Sequence, residues 1–337
     1  MADLQTRYLG LPLKNPIIAG ASDLTANLDT LRRIEEAGAG ALVLKSLFEE
    51  QIQLERFKFD EDLEKGDCRH AEMITVRPHS EHAGPDEHLM WVREAKKAVG
   101  IPVIASLNAV NPETWLEYAV KLQDTGVDAL ECSFFASPQE PHKTAVRIED
   151  EQVEIVARLK AALRIPLSVK LSFFYTSPVD VVRRMDRAGV AGFVLFNRMV
   201  EPDIDIAAEK NINPFNLSHA ADYRLPLRYA GLLEGAIDGD VCCSTGIFSG
   251  ETVAKALLAG AQVVQTVSIL YHKGPGHLRT MLRDLERWMD AKGYETLEVF
   301  RGKLSRRNVS DPWAYTRAQY ARLLMHPDEI VKNFQPV

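Results

Sequence analysis

Short, continuous apolar runs recur along the chain. Between them lie stretches in which apolar residues return at every third or fourth position. The first kind reads as strands covered on both faces, the second as amphipathic helices. Four segments share one shape: "AGAGALVLKS" (37–46), "TGVDALECSF" (125–134), "AGVAGFVLFN" (188–197) and "AGAQVVQTVS" (259–268). Each opens on a small residue and a glycine and then enters an apolar run. Glycine directly after a helix suits a left-handed C-cap, where a Cβ would clash. Two further segments, "VGIPVIASLN" (99–108) and "LRIPLSVKLS" (163–172), begin strands with Ile-Pro. Proline there forfeits no essential ladder bond. Helical spacing falls in "NLDTLRRIEEAG" (27–38), "PETWLEYAVKLQDTG" (112–126), "EDEQVEIVARLKAAL" (149–163) and "PVDVVRRMDRAG" (178–189).

The pattern predicts eight strands, at about 15–21, 41–46, 102–107, 129–135, 166–171, 192–197, 240–245 and 262–267. Each is followed by a segment of helical length. Such alternation predicts an α/β chain folded as a (β/α)8 TIM barrel, an architecture of typically about 250 residues. An open doubly wound sheet is the alternative, and it has no natural place for eight similar units. The 337 residues are read as one barrel domain, with its core at about 15–292. The excess falls in a long loop after strand 2 (47–85), an insertion after strand 6 (198–223) and a C-terminal helical extension from about 293. The first two lie on the side where barrel enzymes carry their active sites.

Composition narrows the class of partner. A net charge of −7 argues against a general nucleic-acid binder, which needs a basic surface. No apolar run approaches the roughly 18 residues of a membrane span. The N-terminus lacks the basic start and long apolar core of a signal peptide, so the default location is cytoplasmic. Four cysteines in a chain this long do not make a disulfide framework. The adjacent Cys242 and Cys243 are expected on opposite sides of one strand. The stretch 68–88 gathers Cys68, His70, Glu72, His79, Glu81, His82 and His88 without the spacing zinc motifs use. It reads as a polar lid over the barrel mouth, and no metal is expected.

The strand ends carry the candidate chemistry. Strand 7 runs into Ser244, Thr245, Gly246 and Ile247, and strand 8 into Val267 and Ser268. Small residues there let backbone N–H groups approach an anion, and barrels often bind phosphate after these two strands. A flavin phosphate and a sugar phosphate both fit. Lys45 and Lys170 close strands 2 and 5, where a charge is costly to bury unless it is used. Asn108 and Asn197 close strands 3 and 6, and Ala19, Gly20, Ala21 and Ser22 close strand 1 with small side chains. Such a mouth suits a planar heterocycle better than a metal. A Schiff base on Lys170, as in a barrel aldolase, stays open. At the end of strand 4, alternation puts Glu131, Ser133 and Phe135 on one face. Cys132 falls on the other with Leu130 and Phe134, as a small hydrophobe rather than a nucleophile.

In order along residues 8–292, "LGLPLKNPIIAGAS", "LVLKS", "IPVIASLN", "DALECS", "IPLSVKLS", "GFVLFNR", "STGIFSGETVAKALLAGAQVVQ" and "HKGPGHL" resemble the dihydroorotate dehydrogenase family. The tail "RGKLSRRNVSDPWAYTRAQY" is similar to the divergent branch called dihydroorotate dehydrogenase-like. The resemblance implies an FMN-binding barrel that passes hydride between a substrate C–C bond and flavin N5. The substrate would be dihydroorotate, orotate or a related compound, with a role in pyrimidine biosynthesis if the family substrate holds. It implies that residues 19–22, Lys45, Ser46 and Asn108 meet the flavin, with Lys170 at its N1–O2 edge. Ser244 to Ile247, Val267 and Ser268 would then hold its phosphate, and Asn108, Ser133 and Asn197 would touch substrate.

This chain departs from the family at two places. The family's fourth strand ends E-L-N-x-S-C-P-N, with the cysteine, or a serine in its place, as base. Here Ser133 takes the asparagine position and Ala136 that of the base. Ser137 serves as base only if the loop shifts by one residue, which leaves Lys45, Lys170 and Ser137 as catalytic candidates. The lid also lacks the family's Asn-x-Met-Gly-Leu-x-Asn stretch. Two alternatives therefore stand: a flavin ene-reductase with Tyr175 or a lid residue as acid, and a non-catalytic flavin-binding or partner-binding subunit. The expected partner is a small-molecule substrate, with no nucleic acid or membrane; a homodimer is allowed.

Overall fold

Glycine ends the helices that feed the strands. In the four recurrent segments Gly38, Gly126, Gly189 and Gly260 all have positive φ, between 90° and 122°, where a side chain would be strained. The computed structural model describes residues 2–53, 85–108, 110–134, 143–198, 202–212 and 217–325. Eight parallel strands form the barrel: β1 (Ile17–Ala19), β2 (Ala41–Val43), β3 (Val103–Asn108), β4 (Ala129–Phe134), β5 (Leu167–Leu171), β6 (Gly192–Leu195), β7 (Asp240–Ser244) and β8 (Val263–Thr266). Each pairs with the next in sequence, and β8 pairs with β1, so the sheet closes. All eight lie inside the intervals read from the sequence, give or take one residue. A two-residue strand, Leu47–Phe48, adds beside the end of β3.

Helices cover the outside: α1 (Leu28–Glu36), α2 (Pro85–Ala98), α3 (Pro112–Gln123), α4 (Ala145–Ala162), α5 (Pro178–Arg187), α6 (Arg224–Leu233), α7 (Gly250–Ala259), α8 (Ser268–Lys273) and α9 (His277–Lys292). Side-chain caps set several starts. The Asn27 side chain accepts from the N–H groups of Asp29 and Thr30, and Ser249 accepts from Thr252. None of the described helices is long and apolar enough to cross a membrane. After α9 the chain runs mostly in turns to 317, followed by a helix at Ala318–Met325. Leu297 and Phe300 of this stretch are fully buried, and the Gly302 and Leu304 N–H groups donate to Leu257 and Leu258 at the end of α7.

Strand alternation divides the apolar residues into two bodies. Outward positions such as Leu130, Cys132, Phe134, Val169 and Cys243 pack under the helices. Inward positions Ile18, Val43, Ile104, Ala129, Val194, Cys242 and Val263 fill the barrel. Cys242 and Cys243 thus face opposite ways, and Cys132 lies among the helices. An N-terminal hairpin, absent from the sequence reading, plugs the bottom. Thr6–Tyr8 pairs with Leu11–Leu13 around Leu9 and Gly10, both at positive φ. Two such residues make the turn that matches strand twist. The usual Asn-Gly signal is missing because Leu9 is held there by burial and by its N–H bond to Asp240, at 2.7 Å.

Trp115 of α3 is 1% exposed and its ring centroid lies 4.9 Å from that of Phe134. Trp115→Ala should cost about 3–5 kcal/mol, the usual loss for a large buried ring. Denaturant unfolding followed by circular dichroism would measure it.

Candidate functional site

Above the apolar floor, the inward positions of the barrel turn polar. Ser106 on β3, Glu131 on β4, Lys170 on β5, Ser244 on β7 and Gln265 on β8 are all buried. Glu131 and Lys170 lie close together because Glu131 registers with Ser168, and Ser133 with Lys170. Gln265 reaches them from the opposite wall. Its Nε2 donates to Glu131 Oε2 at 2.5 Å, and its Oε1 accepts from Lys170 Nζ at 3.2 Å. The ammonium stands 3.7 Å from Glu131 Oε1, an oxygen with no hydrogen-bond partner among the described residues. Burial pushes the Tyr8 hydroxyl and the Cys242 thiol well above their ordinary range, and the Glu131 charge adds to both. The Cys132 thiol is raised the same way, and burial takes Cys243 to about 12.

Lys170 forms the floor of a cavity of about 390 Å³ at the C-terminal ends of the strands. Its lining brings together Ala21, Ser22, Lys45, Ser46, Lys170, Asn197, Ser244, Thr245, Gly246, Ile247, Val267 and Ser268. Lys45 is half-exposed and pairs with Asp23 at 2.5 Å, while the Ser46 and Ser106 hydroxyls lie 2.7 Å apart.

Other candidates are not brought there. Ala19 points outward into the helix-facing core, because strand alternation turns it away from the mouth. Gly20 lies behind Val267: a Cβ on it would sit 2.8 Å from Val267 Cγ2. Asn108 ends β3 beside Phe48, and Ser133 is buried beside Lys170; neither lines the cavity. The Tyr175 hydroxyl donates to Gln152 of α4 at 2.7 Å, and Tyr175 does not line the cavity, so it is no acid for this site. Ser137, Ala136 and the 54–84 portion of the lid lie outside the described residues.

The two turns after β7 and β8 are joined by the insertion. Thr245 and Gly246 have φ of 78° and 76°, so two successive left-handed residues bend the chain over the mouth. A Cβ on Gly246 would fall 2.2 Å from the Tyr223 backbone nitrogen. Ser218, from the insertion, accepts from the Gly246 N–H at 3.3 Å, and its hydroxyl donates to Ser268 Oγ at 2.7 Å. Its own N–H also donates to Ser268 Oγ, at 2.9 Å. Next door lies a cavity of about 340 Å³ with Phe173, Phe196, Arg224, Leu225 and Pro226 in its wall. It shares Asn197, Arg198 and Thr245 with the first. Arg198 is tied to Asp222 at 2.9 Å. Among the described residues no group of three histidines, cysteines or carboxylates is placed to hold a metal.

Several residues in or beneath the site escaped the sequence reading. Gln265 and Glu131 are polar residues inside apolar strand runs, and the burial argument that flagged Lys170 applies equally to them. Asp23, Ser218 and Tyr271 carry no comparable signal. Asp23 reaches the site from the turn after β1, Ser218 from the insertion and Tyr271 from α8, through contacts such as the Asp23 N–H bond to Tyr271 Oη, at 3.1 Å.

Fold and site define a class: a (β/α)8 barrel whose mouth joins a buried ammonium to the backbone turns after β7 and β8. No protein-family model matches the chain. Comparison with known proteins is more specific. The chain is 27% identical over 306 residues to the dihydroorotate dehydrogenase B (NAD(+)) catalytic subunit of Thermoplasma volcanium, covering 90% of this chain and 98% of that one. It is 26% identical over 326 residues to the putative dihydroorotate dehydrogenase A (fumarate) of Aeropyrum pernix, covering 88% and 95%. To the chloroplastic dihydropyrimidine dehydrogenase (NADP(+)) of Arabidopsis thaliana it is 21% identical over 329 residues, covering 89% and 76%. Over most of its length, then, the chain is similar to dihydroorotate dehydrogenases of both the A and the B type.

Two measurements probe this geometry. Gly246→Ala should lose about 1–2 kcal/mol to the left-handed φ alone and more to the clash with Tyr223. Gly274→Ala, at φ 74° with nothing within 4 Å of its Cβ, should lose only the first part. Urea unfolding of the two variants separates them. In a Cys68→Ser background, the buried high-pKa thiols Cys132, Cys242 and Cys243 should resist a disulfide reagent at neutral pH and react once the chain is unfolded. A thiol titration would read both states.

Proposed function

We propose that the protein is an FMN-dependent oxidoreductase acting on a CH–CH bond of a small cyclic substrate such as dihydroorotate. The carrying observation is Lys170, an almost fully buried ammonium beneath a cavity that also borders the two turns after β7 and β8. The names of the relatives, dihydroorotate and dihydropyrimidine dehydrogenases, support the CH–CH chemistry. The residues present fit the cofactor. Gly246 has no side chain where one would fill the turn, Ala21 and Ser22 leave room for a flat ring, and every cation is at the cavity edge or floor. The turns at Thr245–Ile247 and Val267–Ser268 would hold its phosphate.

The bound flavin would supply a hydride acceptor, chemistry that no side chain here provides. Lys170 would stabilise negative charge as it develops over the floor, in an interior where such a charge is weakly screened. Lys45, steered by Asp23, would present a second cation at the rim. Asn197 would orient the substrate, since it lies between the main cavity and its neighbour. The hairpin plug and apolar floor keep water from below. Ser137 is the candidate base. The methyl group of Ala136, where the family carries its base, favours a second reading: the same flavin barrel acting on another activated double bond. The reading takes the chain as one barrel domain acting in the cytoplasm.

Purified protein should be yellow, or take up FMN, and anaerobic dihydroorotate should bleach the visible flavin band. Lys170→Met should slow that bleaching roughly 10²–10³-fold, the usual cost of losing one charge-stabilising donor. Protein that refuses FMN overturns the proposal. Flavin bleached by an enone or cyclic imide and untouched by dihydroorotate selects the second reading.

A further inference from the structure

We propose that Glu131 is the counter-charge that positions Lys170 and sets how much positive charge the cavity presents, with the Gln265 side chain as the bridge between them. Three observations carry this. Glu131 is fully buried, and Lys170 is its one ion-pair partner among the described residues. Gln265 comes from β8, four strands away around the barrel from β4, so its contact crosses the interior rather than following a sheet edge. Both ends of its amide are committed, the oxygen to the ammonium and the nitrogen to the carboxylate. A flipped amide would set N–H against N–H and oxygen against oxygen.

Structure alone does not require this arrangement. An apolar set of the same volume would fill the layer, as Cys242 and Val263 do one inward step below Ser244 and Gln265, and a buried ion pair seldom outperforms such packing in stability. What the pair provides is a fixed ammonium with a moderated charge. Alone, Lys170 would present a full positive charge to the cavity. With Glu131 at 3.7 Å the pair is close to neutral as a unit, and the field it projects upward is that of a dipole. Glu131 touches nothing in the cavity and acts through Lys170, so it is a positioning residue. The consequence for a bound ring rests on the FMN reading above. An anionic reduced flavin is stabilised less by the Lys170–Glu131 pair than by a lone lysine, so the pair holds the flavin potential down.

The test has two arms. In FMN-loaded protein the midpoint potential is measured by dye-coupled titration. Glu131→Gln should raise the affinity for reduced over oxidised flavin about tenfold, a shift of about 30 mV for a two-electron couple. Gln265→Met keeps both charges and should move the same ratio less than about threefold. A potential unchanged by Glu131→Gln, or moved as far by Gln265→Met, overturns the proposal. The second arm needs no flavin and survives a poorly folding Glu131→Gln. Lys170→Met leaves a buried carboxylate without its cation, so FMN-free Glu131→Gln/Lys170→Met should melt above Lys170→Met. A double variant that melts at or below the single one overturns the proposal as well. A wild-type protein that binds no FMN sinks the flavin reading and leaves the charge pairing to this second arm.

Discussion

The interior of a closed parallel barrel holds little water, so a charge placed there must be met by another within a few ångströms. Lys170 and Glu131 meet that condition through one register step between β4 and β5 and an amide from across the barrel. The rest of the molecule is ordered around this polar layer. Below it, apolar inward residues and the N-terminal hairpin close the barrel; above it, the strand ends open into a cavity floored by an ammonium. A floor that is dry on one side and open on the other lets a single lysine serve as a strong electrostatic feature.

The upper rim depends on contacts between distant parts of the chain. The turns after β7 and β8 lie next to each other because their strands pair. They are held in one shape by Ser218, which comes from the insertion after β6. Gly246 then serves two needs at once. It takes a left-handed conformation that a side chain would strain, and it lets the Tyr223 backbone approach to where a Cβ would stand. The insertion is therefore part of the site's framework. It also brings Asp222 to Arg198, at the boundary between the two cavities.

Much of the architecture was legible from pattern alone. Each strand was visible as an apolar run, because a strand covered on both faces needs apolar residues at every position. The glycines that end the helices were visible because glycine takes positive φ without the strain a side chain adds. Cys132 could be dismissed as a nucleophile from alternation, and its place beneath α3 agrees. The hairpin plug was missed because its turn is Leu-Gly, a poor turn sequence stabilised by burial. Ala19 was assigned to the mouth as one of four small residues, yet alternation allows only some of them to face it. Tyr175 is a candidate acid in the ene-reductase alternative, and its hydroxyl is taken by Gln152 on a neighbouring helix.

Sequence by itself determined the periodic features of this protein: eight strands, the helices between them, and which strand residues face in. Those follow from local geometry, since side-chain direction repeats every two residues in a strand and every three to four in a helix. It also placed Lys45, Lys170 and the two turns at the mouth. Only the tertiary structure decided what each inward residue meets. That Gln265 bridges Lys170 to Glu131, or that Ser218 ties Gly246 to Ser268, depends on closure of the barrel and on the path of an insertion. Closure joins residues far apart in the chain, and no local pattern encodes the distance between them.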